Sequence, residues 1–302
     1  MDPSSASSSK ENLYLTTWNV YLKNSTYTKT MTDFAEEVAS YVTTKITKDG
    51  LRSSPVFRVL GAGSGKGKTD LRILAGTAKA FGATQTKKAA LHSAVVEPSA
   101  EMIEEFKTSV SPLPHSLAGV AEVSFEWHEM TFQKFCECFP QKESFDMIHF
   151  VASLFYLDAE SALRCCHQKL TSGGAMFCTV SVEESFFPKL SRKLHTKVDL
   201  GSAQKFYTEV DLVDIARKIN WKYEELRKAK YLCDITCCFD ESSQEGSILL
   251  DFLTHQRDFR TRADQAIYNE VMDFLNEESI TDDIGRKLIE PEISAIVIYK
   301  EQ

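Results

Sequence analysis

Val56-Phe57-Arg58-Val59-Leu60-Gly61-Ala62-Gly63-Ser64-Gly65-Lys66-Gly67-Lys68-Thr69-Asp70-Leu71 passes from an apolar strand pattern, through four alternating glycines, into a helical pattern. Glycine takes up the left-handed backbone that a tight strand-to-helix turn needs, and it lets main chain approach a ligand closely. The helix that follows presents its free amides to whatever sits in the turn. Two ligands suit such a loop. Gly67-Lys68-Thr69 completes a loose phosphate-binding pattern, with Lys68 on phosphate and Thr69 on Mg²⁺. Alternatively, the loop lies beneath the ribose and amino-acid part of a nucleoside without phosphates, as in S-adenosylmethionine.

The next strand arbitrates. Ser93-Ala94-Val95-Val96 ends at Glu97-Pro98, placing a carboxylate at the carboxyl end of a strand, where it can accept both hydroxyls of a ribose. In a phosphate-binding protein the same acid could serve Mg²⁺ instead. Glu97 follows Gly63 by 34 residues, more than the usual roughly 20, and a polar insertion between Gly82 and Ala90 accounts for the excess. The nucleoside reading is preferred and the phosphate reading is its rival.

Working outward, Val123–Trp127, Phe145–Val151, Ala175–Val180 (after a Gly173-Gly174 turn), Tyr231–Phe239 and Ser294–Tyr299 complete seven strands, with helices between the early ones. The pattern predicts an α/β fold, a doubly wound, mostly parallel, Rossmann-like sheet. Ser99 is placed to cap a helix whose inner face carries Met102, Ile103 and Phe106. Residues 11–49 read as two helices, with Tyr14, Trp18 and Tyr21 sharing one face. Residues from about 241 to 290 read as a small helical substrate lobe. The expected organisation is a disordered tail over residues 1–10 and a single domain over residues 11–302.

With 35 basic and 43 acidic residues among 302, the net charge of −8 argues against a nucleic-acid or anionic-membrane surface as the main design. A chain 43% hydrophobic and 26% charged has the balance of an ordinary globular protein. No apolar run approaches the roughly 20 residues of a membrane span. Met1 leads into a polar tract without an apolar core, so no secretory signal is read, and a cytoplasmic monomer is expected. The eight cysteines include no C-x-x-C pair and no histidines at zinc-ligand spacing. Cys136, Cys138, Cys165-Cys166 and Cys237-Cys238 therefore read as reduced thiols filling small core spaces, and no metal site is expected.

Several blocks carry a family resemblance. They are Asn24-Ser25-Thr26, Val95-Val96-Glu97-Pro98-Ser99-Ala100-Glu101, Phe145-Asp146-Met147-Ile148-His149 with Leu154-Phe155-Tyr156, Asp234-Ile235-Thr236-Cys237-Cys238-Phe239, Leu250-Asp251-Phe252-Leu253-Thr254 and Ser294 to Ile298. In their order, from about residue 12 to 300, the chain resembles the histamine N-methyltransferases. The resemblance implies a class I, S-adenosylmethionine-dependent methyltransferase sheet with a small substrate lobe. It implies Gly63, Gly65 and Glu97 as cofactor contacts, with Val151 and the Thr131-Phe132 segment flanking the adenine. Met102 stands where the family has a glutamine near the cofactor.

On the substrate side the chain departs from the family pattern. The family's acid after Asn-Ser-Thr is here Tyr27, its glutamine after the fourth strand is Ala152, and its asparagine before the last strand is Pro291. What remains is an aromatic wall of Tyr14, Trp18, Tyr21, Tyr27, Tyr156 and Phe187, able to enclose a planar heteroaromatic or a cationic amine. The implied reaction is in-line transfer of the sulfonium methyl group to a neutral ring nitrogen, with orientation and a dry site supplied by the protein and no obligatory catalytic base. His149 reads as a core histidine. The expected activity is N-methylation of an imidazole ring nitrogen of histamine or a related small amine. Carnosine, giving anserine, is the alternative, and its carboxylate asks for a cation among Lys189, Arg192 and Lys193. A phosphate-binding NTPase and a cofactor-binding protein without turnover are the remaining readings.

Overall fold

In the computed structural model, residues 15–48, 54–85, 88–139, 144–194 and 206–301 are described. In chain order they form α1 (residues 15–23), α2 (Tyr27–Thr47), β1 (Val56–Ala62), α3 (Lys68–Gly82), β2 (Ala89–Glu97), α4 (Ala100–Ser109), α5 (His115–Ala118), β3 (Ala121–Glu129) and α6 (Phe132–Cys138). There follow β4 (Phe145–Val151), α7 (Ala159–Lys169), β5 (Leu170–Ser181), α8 (Phe186–Leu194), α9 (Glu209–Ile219) and β6 (Lys222–Lys230). The last elements are β7 (Cys233–Asp234), α10 (Gln244–Thr254), α11 (Phe259–Arg262), α12 (Gln265–Glu277), β8 (Ile280–Thr281), β9 (Lys287–Ile289) and β10 (Glu292–Tyr299). Two compact units result among the described residues: those within 31–180, 207–228 and 294–301 form the sheet unit, and those within 15–30, 181–194, 206 and 229–293 form the other.

The expected seven-stranded α/β sheet is the one observed, in the order β3-β2-β1-β4-β5-β10-β6. β1 pairs in parallel with both β2 and β4, β2 with β3, and β4 with β5. The central strands form because their apolar runs are buried on both faces: β4, Phe145 to Val151, is buried at every position but the last. Leu60, Ile148, Phe150, Leu163, Met176 and Ile296 belong to one buried cluster, where an Ile148→Ala change would cost about 2–5 kcal/mol in lost contacts and cavity. α4 starts where expected, with the Ser99 hydroxyl accepting the Met102 amide at 3.4 Å and Ile103 and Phe106 buried.

Three expectations are corrected. The sixth strand is β6, not Tyr231–Phe239. β6 reads Lys-Tyr-Glu-Glu-Leu-Arg-Lys-Ala-Lys and lies at the sheet edge, where charge is tolerated and discourages pairing with another chain. Tyr231–Phe239 instead supplies β7 and a 3₁₀ turn (Thr236–Phe239) in the other unit, with Cys233, Ile235 and Cys238 buried. Gly173 and Gly174, expected to form a turn, lie within β5, where a Cβ on Gly174 would come 3.0 Å from the Asp146 carbonyl oxygen. Cys136 and Cys165 are not separate thiols; they form a disulfide joining α6 to α7, with Cα atoms 6.3 Å apart. Their separation along the chain gave no hint that the two helices would face each other.

In the other unit, Ser25 bridges Cys233, and β7, β9 and β8 form a small sheet. α10 packs closely on the 3₁₀ turn: a Cβ on Gly246 would fall 1.9 Å from the Cys237 carbonyl oxygen, so only glycine fits. Among the described residues, no helix is long and apolar enough to cross a membrane.

Candidate functional site

The strand order reverses between β1 and β4, and in open α/β sheets ligands bind at such a reversal, outside the carboxyl ends of the strands. β1 ends at Ala62, and the chain then turns through Gly63, Gly65 and Gly67 at φ of 72°, 54° and 76°, left-handed values that favour glycine. The Gly63 amide donates to the Val96 carbonyl at 2.9 Å, tying the loop to β2. Glu97, at the end of β2 and only 7% exposed, accepts the Gly65 amide on Oε2 at 2.8 Å and the Ser99 amide on Oε1 at 3.0 Å. Two backbone amides thus fix the direction of a carboxylate at the strand terminus.

These residues fit a nucleoside cofactor. Gly63 is exposed and Gly65 half-buried, so the loop keeps an open main-chain face. Met102 covers Gly65 with a thioether whose sulfur is 3.9 Å from where a Gly65 Cβ would stand. Of the loop lysines, Lys66 is paired with Glu105 at 2.8 Å and Lys68 is exposed. Thr131 caps α6, its hydroxyl accepting the Lys134 amide at 3.3 Å. The Phe132 ring turns into the core, 5.1 Å from Phe150, which sets the start of α6 against β4. Val151 and Ala152 follow at the end of β4, both half-buried. Ala152 takes a left-handed φ of 53° and its amide donates to the Thr179 hydroxyl at 3.3 Å. Tyr156, 49% exposed, lies against Phe155.

The remaining sequence-predicted residues fall in the other unit, where they join a ring cluster. Trp18 lies 5.5 Å from Tyr21, 5.3 Å from Tyr27 and 5.5 Å from Phe252. Tyr21 stacks on Phe252 at 4.3 Å and meets Phe187 edge-on at 5.9 Å. Inside the cluster the Tyr21 hydroxyl donates to the Tyr231 hydroxyl at 2.8 Å, and burial pushes both phenols well above their ordinary pKa. His255, 5.9 Å from Phe252, is held neutral by burial, its pKa lowered to about 4. Pro291 is buried and its carbonyl accepts the Tyr231 amide at 3.1 Å. Tyr14 lies outside the described residues. Sequence reasoning did not single out Tyr231 or Ser153. It met Phe252 only within the block Leu250-Asp251-Phe252-Leu253-Thr254, which does not say which rings converge.

A model of the methyltransferase domain matches residues 71–178. The histamine N-methyltransferase of Xenopus tropicalis is 27% identical over 295 residues, 95% of each chain. That of Danio rerio is 29% identical over 296 residues, 94% of each. Among solved structures, a loganic acid methyltransferase with SAH aligns at a TM-score of 0.52 and 13% identity, covering 91% of this chain and 94% of that one. Sheet order, glycine loop and domain match define an S-adenosylmethionine-dependent methyltransferase of class I. Along nearly its whole length the chain is similar to the histamine N-methyltransferases. Of the two ligands the glycine loop admitted, S-adenosylmethionine is the cofactor.

Proposed function

We propose that the enzyme methylates a nitrogen of a small planar amine, an imidazole ring nitrogen of histamine or a close relative being the favoured acceptor. The observation that carries the acceptor class is the cluster of Trp18, Tyr21, Tyr27, Phe187 and Phe252, whose ring faces suit a flat or cationic nitrogen compound. Gly63 and Gly65 would let main chain approach the cofactor, Glu97 would accept the ribose hydroxyls, and Met102, Val151 and the start of α6 at Thr131 and Phe132 would enclose the rest. When bound, S-adenosylmethionine supplies a methyl group made electrophilic by its sulfonium sulfur. The protein orients the acceptor nitrogen, excludes water and offers ring faces to the positive charge that passes to the acceptor. An imidazole, with a reference pKa near 6.5, is largely neutral at pH 7 and keeps its lone pair without a protein base.

Carnosine is less well served. Its carboxylate needs a cation, yet Lys189 is paired with Glu278 at 3.1 Å, Arg192 with Glu183 and Glu184, and Lys193 lies 4.0 Å from Glu270.

Calorimetry and kinetics on two variants test the assignment. Glu97→Ala should weaken S-adenosylhomocysteine binding by about 1–3 kcal/mol, the cost of charged hydrogen bonds. Trp18→Ala should raise KM for the amine and leave that binding unchanged. A Trp18→Ala enzyme with an unaltered KM would remove the ring cluster from acceptor recognition.

A further inference from the structure

β4 leaves the sheet through a backbone conformation that its side chain does not favour. Among the described residues, the non-glycines with a left-handed φ are Ala152, Asn220, His255 and Asp258. Asn, His and Asp tolerate that region better than most side chains. Here they occupy helix ends, Asn220 and His255 as the C-caps of α9 and α10 and Asp258 as the N-cap of α11. Ala152, at φ of 53°, follows a strand and has no polar side chain to bond its own backbone. A residue in that state persists only where its surroundings fix it, and such residues gather at functional sites.

Two buried hydroxyls do the fixing. Thr179 is 5% exposed and stands on β5 in register with Val151. Its hydroxyl accepts the Ala152 amide at 3.3 Å. On the other side, Ser153 is 7% exposed and donates its hydroxyl to the Ala62 carbonyl, at the end of β1, at 2.5 Å. The corner at the end of β4 is thus tied to the strand on either side of it. It also bounds the glycine loop, since a Cβ on Gly63 would fall 2.6 Å from the Ser153 Cβ. Were Ala152 to relax to a negative φ, the chain would leave β4 in another direction. Ser153 would then lose both Ala62 and its seat against Gly63.

We propose that Thr179 and Ser153 are positioning residues for the cofactor loop: they hold Ala152 left-handed, and the corner so formed keeps Gly63 in the turn that approaches S-adenosylmethionine. The inference rests on reading this loop as the S-adenosylmethionine site. Without the Thr179 hydroxyl the corner forms in only a fraction of molecules, and apparent cofactor affinity falls by that fraction.

Calorimetric titration of the full-length chain with S-adenosylhomocysteine tests this. Thr179→Val, which nearly keeps the shape and removes the hydroxyl, should weaken binding about fivefold to tenfold, the equivalent of one neutral hydrogen bond. Thr179→Ser keeps the acceptor and should bind as wild type does. Adding Ala152→Gly to Thr179→Val should restore binding, because glycine takes a left-handed φ without a partner to hold it. A merely structural loss in β5 would not be rescued this way, since the glycine returns nothing to the other neighbours of Thr179. Wild-type affinity in Thr179→Val, or a double variant that binds no better than Thr179→Val, overturns the proposal. Should Thr179→Val fail to fold, Ser153→Ala serves instead: it should weaken binding to a similar degree, and unaltered affinity in that variant also overturns the proposal. Wild-type protein that binds no S-adenosylhomocysteine would overturn the cofactor assignment of the loop itself, a result distinct from wild-type binding with silent variants.

Discussion

Ser153 closes directly on Gly63: its hydroxyl donates to the Ala62 carbonyl at 2.5 Å, and a Cβ on Gly63 would fall 2.6 Å from the Ser153 Cβ. The contact joins the carboxyl ends of β1 and β4, so the glycine loop is shaped by packing from below as well as by its own conformational freedom.

Gly63→Ala should therefore cost about 1–3 kcal/mol in urea unfolding, from strain and overlap together, and should weaken S-adenosylhomocysteine binding. Gly285→Ala is the control. Gly285 has φ of 84° but nothing within 4 Å of an added Cβ, so the cost should stay near 1 kcal/mol with cofactor affinity unchanged. Equal effects on binding would mean that the Ser153 contact does not shape the loop.

Tyr21→Phe should cost about 1–2 kcal/mol, because the buried Tyr231 hydroxyl loses its partner across the 2.8 Å hydrogen bond. Tyr21→Phe combined with Tyr231→Phe should recover much of that loss, since no polar group is then stranded. Urea denaturation of the two single variants and the double variant gives the comparison; strictly additive losses would show that the hydroxyls are not coupled.

The central strands were legible because parallel strands buried on both faces leave largely apolar runs, as in Phe145 to Val151, broken only by Asp146 and His149. The glycine loop and Glu97 were legible because backbone geometry and strand-end position demand those residue types. β6 was not, since an edge strand can be charged along its length, and Lys222–Lys230 carries no strand pattern. Trp18 and Tyr21 could be placed on one helix face by spacing, but their meeting with Phe252 and Tyr231 depends on chain returning from more than 200 residues away. Asp70 reads as an ordinary first-turn helix acid; only its position across Gly61 from His149 makes it a buried one.

The Cys136–Cys165 disulfide closes a loop with a sequence separation of 29. Chain-entropy arguments give such a cross-link about 2–4 kcal/mol of stabilisation. The melting temperature should fall on adding dithiothreitol, and a Cys136→Ala, Cys165→Ala variant should match the reduced protein and ignore the reductant. A reductant-insensitive wild type would show that the bridge contributes nothing to stability.

Acid should destabilise the fold through His149. Its folded pKa is depressed to about 3, so below the ordinary value near 6.5 the unfolded chain binds a proton that the folded chain refuses. Stability is lost as pH falls from 6.5 toward 3, at up to about 1.4 kcal/mol per pH unit. Asp70 acts in the opposite direction, its raised pKa costing stability as pH climbs from about 4 to 7. His149→Phe should flatten the acid limb of a melting-temperature profile, and an unchanged limb would assign the acid sensitivity elsewhere.

Transfer of labelled methyl from S-adenosylmethionine to histamine, with the product resolved by mass spectrometry, tests the proposed activity most directly. Label on an imidazole ring nitrogen, with S-adenosylhomocysteine released mole for mole, is the predicted result. Bound cofactor with no transfer to histamine or to any related amine would contradict it.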